Sequence, residues 1–344
     1  MNLANPRPIH LVGSVPLPSA ADVFEHVGRH LGPLISRIPD GETGERLQFI
    51  GWQEKVIESA RGLRPVGEWY IAGKRSALYG LMPDVSAQDV KFGPLGYSDA
   101  ARSSYAVFER LRREGKIARG TRMQVSLPTP LTVMIKYAAR DSLRALWPVY
   151  EQHMLDELQS ILQAIPHESL AIQWDIAPEV HTVLEQPESE LTRLIERRNL
   201  VAAIVRITDS VSNEVEVGWH LCYGDPGHKH IVEPRDMAVM VSLSNDLCAA
   251  TKRPVNWIHM PVPRERHDAA YFAPLQHLNL ASGTIPMLGL IHMNDGLEGA
   301  QLRVAAASRV LSWFGVATEC GLGRRAPDSI PQLLDLHRDI ACAT

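Results

Sequence analysis

The sequence predicts an α/β fold and, within that class, a (β/α)8 TIM barrel: a single domain over residues 1–344 with inserted loops. Three observations lead there. Short apolar strand-like stretches alternate with amphipathic helical ones and no hairpin signal separates them, which argues a parallel sheet. Polar residues recur where strands give out, at Ser14, Glu42, Asp175, His220, Cys222, His259, His292 and Cys320, and the carboxyl-end face is where a barrel gathers its site. A doubly wound open sheet would be expected to carry a Gly-x-Gly-x-x-Gly or Walker-type loop, and neither occurs.

Taken in order, Ile9-His10-Leu11-Val12 is a short strand broken by Gly13-Ser14. Ser19 with Asp22 three residues on has the form of a capping box, opening a helix that runs to about Gly32. Residues 37–46 are dense in polar groups and hold two glycines, which reads as a solvated turn. Residues 90–96 read as a strand and turn, and the following helix stripes Tyr105, Phe108 and Leu111 along one face. Residues 123–130 form a strand entering a proline-rich turn. An amphipathic helix from about Ser142 to Ile165 follows, with Pro166 just past its end. Leu170 to Asp175 is strand-like, and a helical region runs from Pro187 to about Ser212.

Glu214 to Gly218 alternates acidic and apolar residues and reads as a strand leading into Trp219-His220-Leu221-Cys222. The helix from Pro234 to Thr251 sets Cys248 between Leu247 and Ala249, a place for a small buried thiol. Strands over 255–259 and 287–292, a helix over 297–314, a last strand and turn over 316–321 and a helix from about Ser329 complete the chain.

The net charge of −4, with signs interspersed, gives no electrostatic footprint for nucleic acid or an anionic membrane, and neither is expected as a partner. No apolar run is long enough to span a bilayer, and the first seven residues lack the apolar core of a signal segment, so a cytoplasmic location is expected. There the four cysteines would stay reduced. Cys222, Cys248, Cys320 and Cys342 are too widely spaced for a compact disulfide framework, which leaves metal binding or burial.

His220 and Cys222 are two apart on a strand, so their side chains leave the same face. An imidazole and a thiol converging in this way suit a borderline-soft cation, zinc above all, given further ligands from elsewhere in the chain. His228 and His230, shortly after Cys222, read as a solvated loop rather than spare ligands. Arg264, Arg266 and Tyr271 follow the Pro261-Val262-Pro263 turn and read either as contacts for an anionic substrate or as an exposed basic loop.

These stretches together resemble the catalytic half of cobalamin-independent methionine synthase, within the superfamily that also holds uroporphyrinogen decarboxylase. The resemblance runs as ordered islands from about Ile9 to Arg325. His220-Leu221-Cys222-Tyr223 is similar to the family's His-x-Cys-Tyr zinc motif, and Cys320-Gly321-Leu322 to its late Cys-Gly-Leu, whose cysteine is another zinc ligand. Gly13-Ser14-Val15-Pro16 resembles a Gly-Ser-Phe-Pro whose serine helps hold homocysteine. Gly41-Glu42 resembles a Gly-Glu whose carboxylate takes the substrate ammonium. Ile172-Gln173-Trp174-Asp175 is similar to Ile-Gln-Ile-Asp, the source of a second carboxylate, and His292 falls near a late histidine with a proton-relay role.

The sequence departs from the family at three places. The remaining zinc ligand of the family is a glutamate on the next strand, where this chain has His259. Asp175 is followed by Ile176-Ala177-Pro178 rather than Glu-Pro. Pro128-Thr129-Pro130-Leu131-Thr132 resembles a Gly-Pro-x-Thr turn but lacks the tryptophan on which the family stacks folate.

The resemblance implies Zn²⁺ held by His220, Cys222, His259 and Cys320. It implies a thiol substrate held by Ser14, Glu42 and Asp175, with Arg46 on the same wall, and His292 and Asp175 as catalytic groups. It implies a methyl or alkyl transferase whose donor is a methyl-folate or a methylcobalamin (corrinoid) protein. A zinc-dependent lyase that adds or releases a thiol, of the epoxide–thiol transferase type, and a non-catalytic binding barrel are the alternatives.

Overall fold

The computed structural model describes residues 6–71, 74–224 and 230–343. Its strands, in chain order, are β1 (Ile9–His10), β2 (Arg37–Pro39), β3 (Leu63–Ile71), β4 (Lys74–Leu81), β5 (Arg122–Pro128), β6 (Leu170–Ile176), β7 (Glu216–Leu221), β8 (Trp257–Pro261), β9 (Ile285–Ile291) and β10 (Gly315–Thr318). Eight of them form one parallel sheet in the order β1, β10, β9, β8, β7, β6, β5, β2. A parallel bridge from Ile9 to Ile35, just before β2, brings the two ends of that sheet together. With helices between the strands this is a (β/α)8 barrel, nearly closed, as the alternation of elements predicted.

The elements form for local reasons. β6 is buried at every position, the pattern of a strand covered on both faces. The helix Ala20–Leu31 begins where the Ser19 hydroxyl accepts the Asp22 N–H, and it buries Val23, Phe24, Val27 and Leu31 at helical spacing. Gly218 lies within β7 rather than at its end. A Cβ there would stand 2.1 Å from the Trp257 ring, so the absent side chain is what lets that indole lie against the strand.

Three stretches differ from the sequence reading. Arg37–Pro39 is a fully buried barrel strand and not part of a solvated turn, because Arg37 pairs with Glu216 at 2.8 Å and stacks 4.2 Å from the Trp257 ring. Residues 63–81 form an antiparallel hairpin of β3 and β4, inserted after β2. β3 keeps most of its side chains in solvent, Val66 and Tyr70 included, and so shows little hydrophobic alternation. Residues 90–96 make no strand; Lys91 alone bridges Arg61, and Glu157 holds the turn by accepting from the Leu95, Gly96 and Ser98 N–H groups.

The barrel interior is partly polar and cross-linked. Gln124 donates to the carbonyls of Leu11 and Val12 at 3.1 and 3.0 Å. Gln173 donates to Val12 O, and its own carbonyl accepts the Trp257 indole N–H at 3.3 Å. These bonds tie β5, β6 and β8 to the chain leaving β1, and they carry the strand exits toward one mouth. Among the described residues, no helix is long and apolar enough to cross a membrane.

Candidate metal and substrate site

Two strands deliver the sulfur groups. The Cys222 N–H continues the ladder onto Ile176 O at 2.9 Å, so Cys222 keeps the strand geometry one residue past β7 and shares a face with His220. Cys320 follows β10, on the far side of β8 and β9. The Cys222 and Cys320 sulfurs stand 3.9 Å apart, and Cys320 Sγ is 3.9 Å from His220 Nε2. The ligand atoms of His220, Cys222 and Cys320 lie within 4.8 Å of one another. The Cys320 thiol is held well below its usual range by Cys222 first, with Arg324 helping against burial. The Gly224 N–H also points at Cys222 Sγ at 3.3 Å. Two sulfurs and one imidazole are a fit donor set for a thiophilic divalent ion.

His259 does not join that group of ligand atoms. Its Nε2 lies 2.9 Å from Thr318 O and its Nδ1 2.7 Å from His220 Nδ1, so both ring nitrogens are engaged within the protein. Burial, then His220, drives its pKa well below the usual value and keeps the ring neutral. Sequence reasoning could place an imidazole on the strand beside His220. It could not say that the two rings would meet each other first, at a centroid distance of 4.8 Å.

The second half of the site comes from the exits of β1, β2 and β6. The Glu42 carboxyl lies over Gly13, where an added Cβ would come within 2.2 Å of its Oε1, and Ser126 Oγ borders the same spot. Gln173 donates to Asp175 Oδ1 at 2.8 Å and so aims that carboxyl. Burial raises the pKa of both acids. For Asp175, Glu42 adds to the rise and so does Cys320; for Glu42, Asp40 and Cys320 add to it and Arg46 opposes it. Arg46 hydrogen-bonds Asp40 at 2.6 Å rather than Glu42, and Ser104 donates to the same Asp40 carboxyl at 2.7 Å. Asp40 and Arg46 thus form a supporting pair, and Asp175, buried, and Glu42, half-buried, have no ion pair of their own among the described residues. Ser14 joins the two halves: its hydroxyl accepts the Gly323 N–H at 3.2 Å and its carbonyl the Leu322 N–H at 2.6 Å, just past Cys320.

His292 is buried, with Nε2 2.9 Å from Val262 O and Nδ1 3.8 Å from Glu319. Burial and Arg303 push its pKa to about 3, so it is a neutral ring with an accepting Nδ1 and not the near-neutral acid that its intrinsic pKa suggests. Asp295, three residues on, is paired with the buried Arg303 at 2.6 and 2.9 Å. Glu319, which the sequence reading passed over, also pairs with His230; that histidine, pushed up to about 9 chiefly by Glu319 against burial, is neither a spare ligand nor solvated. The only hint was its place directly before Cys320. His228 lies outside the described residues. Arg264 and Arg266 are paired with Glu265 and Asp268 on the surface, while Tyr271 is buried. Cys248 is half-buried, and burial raises its thiol to about 11.

The barrel is shared with solved structures. The chain is similar to a B12-independent methionine synthase from Shewanella sp. W3-18-1, solved in complex with selenomethionine. The TM-score is 0.66 at 14% identity, covering 98% of this chain and 97% of that one. It is also similar to a methyltransferase from Methanosarcina mazei, with a TM-score of 0.55 at 10% identity, covering 98% and 94%. At these identities the likeness shows the fold. No protein-family model and no curated protein matches the chain.

Proposed function

We propose that this chain is a zinc-dependent enzyme that transfers a methyl or alkyl group to the sulfur of a small amine-bearing thiol. One observation carries the reading: His220 Nε2 and the Cys222 and Cys320 sulfurs converge within 4.8 Å from strands far apart in sequence. The two similar structures, a methionine synthase and a methyltransferase, support the same class.

His220, Cys222 and Cys320 would hold the zinc. When bound, zinc supplies the means to keep a substrate thiol deprotonated and nucleophilic near neutral pH. The chain's own residues do the rest. Asp175, buried, and Glu42, half-buried beside an Arg46 already paired with Asp40, suit an ammonium group, which would restore their charged forms. Gln173 aims Asp175, and Ser14 with Gly323 fixes the backbone that follows Cys320. His292, a neutral ring held near a pKa of about 3, would accept a hydrogen bond at Nδ1 rather than carry a proton. The sulfur–carbon bond forms as the donor–carbon bond breaks, and the thiol proton leaves to solvent.

Both Thr129 and Thr132 hydroxyls in the proline-rich turn are bonded to the buried Glu179. Methyl-folate and a methylcobalamin (corrinoid) protein both stand as donor, and a thiol-adding lyase is the second reading. Metal analysis of the purified chain, with Cys320→Ser beside it, tests the first step. About one zinc per wild-type chain is expected; a chain that neither carries zinc nor takes it up would end the proposal. Methyl transfer to homocysteine from methyl-folate or methylcobalamin, assayed directly, separates transferase from lyase.

A further inference from the structure

We infer that His259 is a positioning residue for the metal ligand His220: it selects the tautomer that turns His220 Nε2 inward, and it withholds its own nitrogens from the metal. This rests on the three-ligand reading above for its effect on metal, but the tautomer itself belongs to the metal-free chain.

The argument is one of donors and acceptors. A carbonyl oxygen can only accept, so the His259 Nε2 facing Thr318 O at 2.9 Å must carry a hydrogen. The ring has no exposed surface and hydrogen-bonds to a ring nitrogen and a carbonyl, with no carboxylate to hold a charge there, so it is neutral and its Nδ1 is a bare lone pair. Facing that lone pair at 2.7 Å, His220 Nδ1 must be the donor. His220 Nε2, 3.9 Å from Cys320 Sγ, is then left as the lone pair that a cation needs. The backbone of β10 therefore sets the protonation state of a ring on β7 through a ring on β8, and Thr318 lies two residues before Cys320.

Strand register makes the contact local. His220 and His259 are direct partners in the parallel ladder of β7 and β8, so their side chains rise one strand spacing apart. His10 closes the other side of His259 with a ring distance of 5.5 Å, leaving little room for it to swing. Coordination by His259 through its one bare nitrogen, Nδ1, would require breaking the hydrogen bond to His220. A hydrogen-bond acceptor behind a coordinating imidazole raises its basicity and holds its plane, a role usually filled by a carboxylate or a carbonyl. Here a neutral ring fills it, so the two cysteines remain the only anionic ligands.

Nitrogen-15 NMR of histidine in the metal-free full chain tests the tautomer directly. Protonated Nδ1 with bare Nε2 on His220, and the reverse on His259, is the expected result; His220 protonated at Nε2 would overturn the inference whether or not zinc ever binds. Zinc competition titrations add the energetic arm. His259→Phe is expected to weaken binding about 10–100-fold, the usual cost of losing an outer partner. His259→Gln, whose amide can accept from His220 and donate to Thr318 O, should recover most of it. Unchanged affinity in folded His259→Phe would sink the inference. So would X-ray absorption of the zinc-loaded wild type showing two imidazoles in the first shell. A wild-type chain that binds no zinc but shows the expected tautomers would instead defeat the zinc reading alone.

Discussion

The two halves of the site are built from opposite balances of charge and hydrogen bonding. Around His220, Cys222 and Cys320 the protein supplies partners: Gly224 N–H for one sulfur, and His259 and Thr318 O behind the imidazole. Around Glu42 and Asp175 it withholds them. One gets a single donor from Gln173, and the nearest cation to the other is committed to Asp40. A prepared site for a resident ion can be satisfied in advance. A site for a transient ammonium must leave its charge uncompensated, since a protein cation placed there would compete with the substrate.

The sharpest way to break this comparison is at the sulfur half. Cys320→Ser removes one of two soft ligands, and zinc affinity should fall by more than the roughly 100-fold at the upper end of outer-partner effects. Turnover should go with it, and competition titration followed by an activity assay checks both. At the acid half the effect is smaller and selective. Glu42→Gln should raise KM for an aminothiol by roughly 10–100-fold, the 1.5–3 kcal/mol of a hydrogen bond to a charged group. It should leave the KM of the same thiol without its amine unchanged. An equal loss for both thiols would assign Glu42 to the scaffold.

How much of this was legible in the sequence follows the same division. The barrel was readable because its strands and helices alternate with distinct periods, and His220 and Cys222 because a strand returns every second side chain to one face. What failed to show was pairing between strands. β2 is only three residues long and starts with an arginine, so nothing local marks it as buried; its reason is Glu216, some 180 residues away. The hairpin of β3 and β4 is a surface insertion with little apolar alternation to reveal it. His259 offered good ligand chemistry, and whether it faces a metal or a neighbouring ring depends on β7–β8 register, which composition does not encode. Glu319 had no signal beyond its neighbour Cys320.

The mildest expected effect follows from leaving buried acids unpaired. In the metal-free, substrate-free chain Glu42 is pushed from 4.5 up to about 8, and Asp175 is raised with it. Between those two values the native state keeps a proton that the unfolded chain has already lost. The native state therefore binds more protons, and stability must fall as pH rises through that window. Glu42→Gln removes one source of the slope and, by removing the neighbouring charge, eases Asp175 as well, so its denaturation midpoints should vary less with pH and exceed the wild type's above about pH 8. Bound zinc would act in the same direction, because a nearby cation favours ionised carboxyls. Urea midpoints measured from pH 5 to 9 on both chains, with and without metal, give the comparison directly. A wild type whose midpoint rises across that range would mean that these acids are compensated, and the contrast between the two halves of the site would be lost.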